Sequence, residues 1–235
     1  MKESLVCYFE MVKVPVGSRK WILIGVVIAV SFFLVSVNAV SANDKVTVIQ
    51  DDGISKYLGK EFKAGEGALA NLEALIEEQY PGQQSMYILK LLETNEQEGI
   101  DKAGNPTYFT KLERYKIVEV TVGQTIFSSE TDGITRSYSY GTTLNPGYMA
   151  IHGNYYLTGP AEFSSTTYWS PAYTFHIGLY NRDTEYFGYH IKISSPAYDL
   201  SYNWDYPYYY AHAVRNPSGS SGSVTFSCSY DWNYQ

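Results

Sequence analysis

Cysteine is scarce in this chain: among 235 residues only Cys7 and Cys228 occur. Cys7 lies in an N-terminal segment that we expect to be removed, so Cys228 is the one thiol of the remaining chain. Intrachain disulfides are therefore excluded as the means of holding the fold together. Cys228 stands between Phe226 and Tyr230 on the apolar face of a predicted strand, which indicates a buried structural thiol and not a reactive one.

Positive charge is also scarce. The chain has 17 basic and 24 acidic residues; the first 42 residues carry four and two of these, which leaves 13 and 22. Binding to nucleic acid or to anionic lipid needs a basic patch, so neither is expected as a partner.

Familiar catalytic motifs are missing from the sequence. It contains no G-x-S-x-G, no H-E-x-x-H and no glycine-rich phosphate loop. "DDG" at 51–53 and "TDG" at 131–133 do not continue into a twelve-position calcium loop, so they indicate acidic turns. We assign no catalytic residue and expect no cofactor, although a triad or a carboxylate pair built from distant positions leaves no mark in a sequence.

The longest uncharged apolar run extends from Trp21 to Ala42 and follows a basic segment. Basic start, apolar centre and small residues at the end are typical of a signal peptide, so we predict that residues 1–42 are a leader cleaved after Ala42. Cleavage after Ala39 is a second candidate, and Met11 is an alternative start to Met1. An uncleaved anchor is the competing interpretation, with membrane contact only through residues 21–42. Both interpretations export the chain to a secreted or extracellular surface-attached location.

Composition changes along the exported part. Eighteen of the 24 tyrosines lie in residues 136–235, where charged residues become rare. We predict a small α+β unit over residues 43–122, with one amphipathic helix near 66–80, and a Tyr-rich domain over residues 123–235. In the first unit, "SMYILKLLET" and "YFTKLERYKIVEVTV" predict a hairpin around the loop "NEQEGIDKAGNP".

Short strands recur about every ten residues in the second unit, without helices between them. The clearest is "VTFSCSYDW", which alternates without interruption and predicts a half-buried strand. This spacing indicates an antiparallel sandwich or barrel, and we predict a mainly antiparallel β-sandwich.

Two histidines are candidate metal ligands. If "NRDTE" is a five-residue loop between "YTFHIGLY" and "YFGYHIKI", Phe175 faces Ile191 and His176 faces His190 on the outer surface. A stable metal site needs a third or fourth ligand, and these strands supply none. Two solvated histidines are the simpler interpretation, and an acid-sensing pair is a third.

The stretch "SYNWDYPYYYAHAV" at 201–214 is the densest aromatic segment. From Tyr208 onward it predicts a strand whose core side carries Tyr208, Tyr210, His212 and Val214. The rings before Pro207 then fall in a loop. We predict this loop as the ligand-binding position, formed by Tyr202, Trp204 and Tyr206.

These features favour a non-catalytic, exported bacterial surface or secreted protein that binds or adheres to a glycan, a cell-wall polymer or a protein surface. Two alternatives stay open: a secreted hydrolase with a site built from distant loops, and a self-assembling matrix or toxin-like component that pairs through sheet edges.

Overall fold

The computed structural model describes residues 47–48, 52–101, 103–124, 135–157, 161–202 and 207–234. The predicted leader, residues 1–42, lies outside the described residues. Within the described ranges the chain forms two helices and twelve strands. The helices are α1 (Asp52–Ser55) and α2 (Ala68–Gln79). The strands are β1 (Thr47–Val48), β2 (Glu61–Lys63), β3 (Gln83–Ile100), β4 (Pro106–Gln124), β5 (Thr135–Leu144), β6 (Tyr148–Leu157), β7 (Ala161–Ser170), β8 (Phe175–Asn181), β9 (Tyr186–Lys192), β10 (Ala197–Tyr202), β11 (Tyr208–Arg215) and β12 (Val224–Tyr234).

Six of the strands close into a barrel. The pairing order is β4, β3, β6, β11, β8 and β9, and a further pairing of β9 with β4 closes the ring. Every one of these pairings is antiparallel. Closure hydrogen-bonds both edges of each of the six strands, which removes the free edges that an open sheet exposes.

The long hairpin of β3 and β4 makes this closure possible. Its pairing runs from Gln83 with Gln124 to Ile100 with Pro106, so most of the predicted loop is strand. Register shifts near Leu89 and Glu93 interrupt the ladder. Such irregularities bend a strand and increase its twist, which lets β3 pair with β6 at its start while β4 pairs with β9 near its own start.

The other four long strands form an open second sheet in the order β10, β7, β12 and β5. Its inward face is the alternating strand that the sequence indicated: Val224, Phe226, Cys228, Tyr230 and Trp232 are all at most 3% exposed. This prediction is confirmed. These side chains pack on the outside of the barrel wall formed by β3, β6, β8 and β11.

A separate apolar cluster fills the barrel. Its members come from all six barrel strands and from both helices. They include Leu72 and Ile76 of α2, which pack among barrel side chains such as Tyr87 and Tyr180. The amphipathic helix predicted near residues 66–80 is therefore confirmed as α2, and its apolar side covers the barrel interior.

Prediction of a mainly antiparallel β fold with two sheets is confirmed, but one of the two sheets is closed into a barrel. Strands on both sides of the predicted boundary at residues 122 and 123 belong to that barrel, and residues 45–235 form one compact unit. The charged composition of the first region coincides with solvent-exposed strand: in β3, six successive residues from Glu93 to Glu98 are exposed.

No helix within the described ranges is long and apolar enough to cross a membrane.

Candidate binding face

The outward side of the second sheet, as far as its side chains are described, is nearly uniform in chemistry. We call it the hydroxyl face, and its described side chains are Ser137, Ser139, Thr143, Ser164, Thr166, Tyr168, Ser170, Tyr198, Thr225, Ser227, Ser229 and Asp231. Eleven of these twelve carry a hydroxyl group, and Asp231 is the one charged member. Alternation along each strand sends these small polar residues to solvent because the opposite face carries the buried aromatic residues.

Pairing across the strands arranges these hydroxyls in rows. Ser229 lies between Ser139 and Thr166, and Thr225 lies between Thr143 and Ser170. Adjacent strands are about 4.7–4.9 Å apart, so each row offers hydroxyl groups at that spacing. The Thr143 and Thr225 hydroxyls are 2.8 Å apart and hydrogen-bonded to each other.

Two tyrosines rise from this face. Tyr168 is 51% exposed and Tyr198 is 70% exposed. Tyr198 pairs with Thr166, two residues before Tyr168, so the two tyrosines are diagonal neighbours on adjacent strands. Diagonal neighbours are about 7–8 Å apart, within reach of the same bound molecule.

Charge on the hydroxyl face is confined to Asp231, whose carboxylate accepts a hydrogen bond from the Ser137 hydroxyl. None of the twelve described side chains of the hydroxyl face is basic. The face therefore combines donors, acceptors and two aromatic rings with very little net charge, which suits a neutral hydroxyl-rich ligand.

The predicted aromatic trio is only partly within the described residues. Tyr202 is the last residue of β10, where its backbone pairs with Glu162 at the end of the second sheet. Trp204 and Tyr206 lie outside the described residues. What the sequence analysis missed is the Ser/Thr alternation on β5, β7 and β12, which was visible as a pattern but has significance only when the strands are adjacent.

The predicted register of the two candidate histidines is wrong. His176 pairs with Ile191, whereas His190 pairs with Ile177, so the two imidazoles lie on opposite faces of the sheet. The turn is one residue shorter than predicted. Asn181 remains in β8, and its side-chain oxygen accepts hydrogen bonds at 3.0 Å from the backbone N–H groups of Asp183 and Thr184.

Both histidines are buried, with 6% of His176 and 7% of His190 exposed, so the expectation of solvated imidazoles is also wrong. His176 lies inside the barrel, where its ring stacks on Tyr189 with centroids 4.3 Å apart. Across the described ranges no group of three or more His, Cys, Asp or Glu side chains is arranged to hold a metal ion.

His190 belongs to a cluster that the sequence could not reveal. Its Nε2 atom lies 3.5 Å from Asp199 Oδ1 of β10 and 3.9 Å from Asp101 Oδ2 of the β3–β4 turn. Burial raises the pKa of Asp199, although His190 and Lys192 oppose that shift. The Asp199 side chain is 3% exposed and that of Asp101 is 9% exposed, which closes the cluster to a polymer substrate. It joins the barrel to the second sheet.

A second polar cluster lies between the barrel wall and the second sheet. His152 and His212 are cross-strand neighbours, and each imidazole Nδ1 is hydrogen-bonded to a tyrosine hydroxyl. His152 contacts Tyr230 at 2.7 Å, and His212 contacts Tyr140 at 2.6 Å. Burial, together with Arg182, lowers the pKa of His152 to about 3, and burial also lowers the pKa of His212. Both rings are therefore neutral near pH 7.

Cys228 lies beside this cluster, with its Sγ atom 3.6 Å from His212 Nδ1. A nucleophilic pair would need a thiolate beside an imidazolium. Here burial raises the pKa of the Cys228 thiol to about 12, so the thiol and the imidazole are both neutral. The prediction that Cys228 is buried is confirmed.

Among the described residues, then, the polar clusters are enclosed and the hydroxyl face is open to solvent. No protein-family model and no curated protein matches this sequence, so the chemistry of the hydroxyl face itself is what supports a function.

Proposed function

We propose that this is an exported, non-catalytic binding or adhesion protein whose hydroxyl face contacts a neutral glycan or cell-wall polysaccharide. The observation that supports this most directly is the pair of exposed tyrosines, Tyr168 and Tyr198, on a face of serine and threonine hydroxyls. Export rests on the predicted leader in residues 1–42.

A sugar ring has an apolar face of C–H groups and an equator of hydroxyls. The flat rings of Tyr168 and Tyr198 match the first, because an aromatic side chain offers rigid apolar area at low entropic cost. Serine and threonine hydroxyls match the second, since each can donate one hydrogen bond and accept two. The Ser229 and Thr225 rows are long enough to contact more than one sugar.

The low charge of the hydroxyl face favours some classes of polymer over others as its ligand. Among the described side chains of the hydroxyl face, a polyanion would meet the Asp231 carboxylate without a basic partner, and a polycation would meet that single carboxylate. Because like charges repel and isolated surface pairs are weak, neither polymer gains much from charge. A neutral polysaccharide is not repelled by Asp231 and does not depend on charge for binding, so we favour it over a charged one or a protein partner.

The test is binding of the full chain to an array of neutral and acidic polysaccharides, followed by affinity measurement on the best one. The double variant Tyr168→Ala with Tyr198→Ala is expected to weaken binding at least tenfold, a loss of about 1.4 kcal/mol. Ser227→Arg, which places a long charged side chain beside Tyr168, is expected to have a similar effect.

The matched control is the double variant Tyr156→Ala with Tyr209→Ala. These tyrosines are 46% and 43% exposed and form a ring pair on the barrel, away from the second sheet. They should leave the affinity unchanged. Equal losses in both double variants, or binding that survives Ser227→Arg, would count against the hydroxyl face.

Self-assembly is a second candidate because the second sheet is open. Its outer strands are β5 and β10, and β5 carries one charged residue, Arg136, in ten. A long edge strand with little charge is suited to pairing with another chain. Light scattering over a hundredfold concentration range separates the two candidates: growth of oligomers without any polysaccharide favours assembly, and a constant monomer mass favours the binding module.

A further inference from the structure

Arg215 is a buried cation inside the barrel. It is the last residue of β11, where it pairs with Met149 on one side and His176 on the other, and its side chain is 5% exposed. Its Nη1 atom donates to Glu96 Oε1 at 2.9 Å and to Thr110 Oγ1 at 3.4 Å. Glu96 is 51% exposed, so the guanidinium lies near the solvated end of the barrel.

One edge of this guanidinium is without a partner. The Nε atom is buried and makes no hydrogen bond, and the hydrogen bonds of the guanidinium to Glu96 and Thr110 both run through Nη1. The N–H groups of Nε and Nη2 point the same way and together form the fork that receives two oxygens of a carboxylate or phosphate. Glu96 engages the other nitrogen through one oxygen, so this fork stays open.

His176 is the neighbour of Arg215 on the adjacent strand β8. Cross-strand partners have Cβ atoms about 4.5–5.5 Å apart, which places the His176 ring next to the Arg215 stem. The His176 Nδ1 atom is buried and likewise has no hydrogen-bond partner. Buried polar groups in folded proteins are nearly always paired with protein or with a bound species, so both of these atoms need a partner.

We propose that this end of the barrel is an oxyanion site, in which a carboxylate or phosphate group binds the Nε–Nη2 edge of Arg215 beside His176. Glu96 opposes anion binding through its charge, because its carboxylate already neutralises Arg215 through Nη1. Tyr189 borders the site because its ring stacks on His176. Thr110 borders it because its hydroxyl accepts a hydrogen bond from Arg215. The site is separate from the hydroxyl face and independent of the proposed polysaccharide.

The experiment titrates the full chain with sodium acetate, inorganic phosphate and sodium sulfate at constant ionic strength, while NMR follows the His176 ring. At least one anion is expected to shift the His176 signals saturably. Acetate as the stronger ligand assigns a carboxylate, and phosphate as the stronger ligand assigns a phosphate. No saturable shift with any of the three anions overturns the proposal.

Three variants locate the site. Arg215→Lys keeps the charge but removes the fork, so it should weaken binding at least tenfold. Glu96→Gln removes the opposing charge at a half-exposed position and should tighten binding at least threefold, and it stays informative if the Arg215 variant fails to fold. The control is Arg114→Gln, which removes a surface arginine paired with Glu61 and Glu93 and should change nothing. Weaker binding in Glu96→Gln, or equal losses in the Arg114 and Arg215 variants, overturns the site.

Discussion

The barrel and the second sheet use antiparallel strands in opposite ways. In the barrel, every one of the six strands pairs on both edges. Its inward side chains form an apolar cluster, and Arg215 and His176 lie on the same inner face. Within the described residues the second sheet stays open, with β5 and β10 as its outer strands, and its inner face is buried against the barrel wall. Closure therefore gives the barrel a protected interior, whereas openness gives the second sheet a surface that is available to a ligand.

Acidification should cause the largest loss of stability, because it acts on buried histidines and not on the exposed hydroxyl face. Burial lowers the pKa of His152 and His176 to about 3 and also lowers that of His212, while an unfolded histidine titrates near 6.5. Below about pH 6.5 the unfolded chain binds more protons than the native one, so stability falls as the pH falls. Each histidine contributes about 1.4 kcal/mol per pH unit in this window. Urea unfolding at pH 7.5 and pH 5 measures the loss.

The buried Asp199 and the half-buried Glu185 act in the opposite direction, because desolvation raises the pKa values of both carboxyl groups and the native state then takes up protons first. His176→Gln is the control. It removes one buried histidine, so the change in unfolding free energy between pH 7.5 and pH 5 should shrink by the contribution of one histidine. A free energy of unfolding that does not change between pH 7.5 and pH 5 would contradict neutral buried histidines.

Removing the largest side chain between the two layers should come next in size. Trp232 is fully buried among aromatic rings of both sheets, with Phe163 at 4.8 Å and Tyr155 at 5.1 Å between centroids. Trp232→Ala should cost about 3–5 kcal/mol of unfolding free energy, as for other buried aromatic truncations. We expect one cooperative transition in denaturant, since the inner face of the second sheet and the outer side of the barrel wall share one apolar cluster.

Two separate transitions for Trp232→Ala would show that the barrel stays folded without the second sheet. Tyr209→Ala on the barrel surface is the control, because this ring is 43% exposed and its loss should change stability by less than about 1 kcal/mol.

A clash inside the barrel wall should cost somewhat less. An added Cβ at Gly178 would lie 2.0 Å from the Gly188 carbonyl oxygen, so Gly178→Ala forces β8 and β9 apart. We expect a loss of about 1–3 kcal/mol or more in thermal or urea unfolding. Gly219→Ala is the matched control: nothing lies within 4 Å of its Cβ position, and that variant should be close to neutral. Similar stabilities for the two variants would contradict the close β8–β9 contact.

The smallest effect should come from one hydroxyl between the layers. Tyr230 hydrogen-bonds to His152 Nδ1 at 2.7 Å and lies 3.3 Å from the Tyr155 hydroxyl. Tyr230→Phe keeps the ring but leaves His152 without that partner, which should cost about 1–3 kcal/mol. Chemical denaturation measures this loss, and NMR of the His152 ring reports whether the partner is lost. An unchanged His152 signal would show that another group accepts or donates there.

Local patterns predicted some features well. Alternation in "VTFSCSYDW" predicted the buried side of β12, and helical spacing predicted α2, because one strand or one helix displays its buried face in its own residues. Alternation also divided 208–215 correctly, with Tyr210, His212 and Val214 toward the second sheet. It did not show that Ala211, Ala213 and Arg215 are buried as well, inside the barrel.

The histidine pair failed for a physical reason. Register across a hairpin depends on the turn, and one residue more or less moves a side chain to the opposite face. The Asn181 side chain closes a tighter turn than the loop composition indicated, and His176 and His190 then separate. The carboxylates near His190 were equally hidden, because Asp101 and Asp199 come from elements far apart in sequence.

The sequence by itself determined the strand-rich composition, the position of α2, the burial of Cys228 and the low positive charge, since each depends on neighbouring residues or on counts alone. Tertiary structure decided the closure of the barrel through the pairing of β4 with β9, about 80 residues apart. It also brought the serines and threonines of β5, β7 and β12 together on one open face and placed Arg215 beside His176 inside the barrel. Those juxtapositions arise from strand order and register, which residues in one strand do not specify.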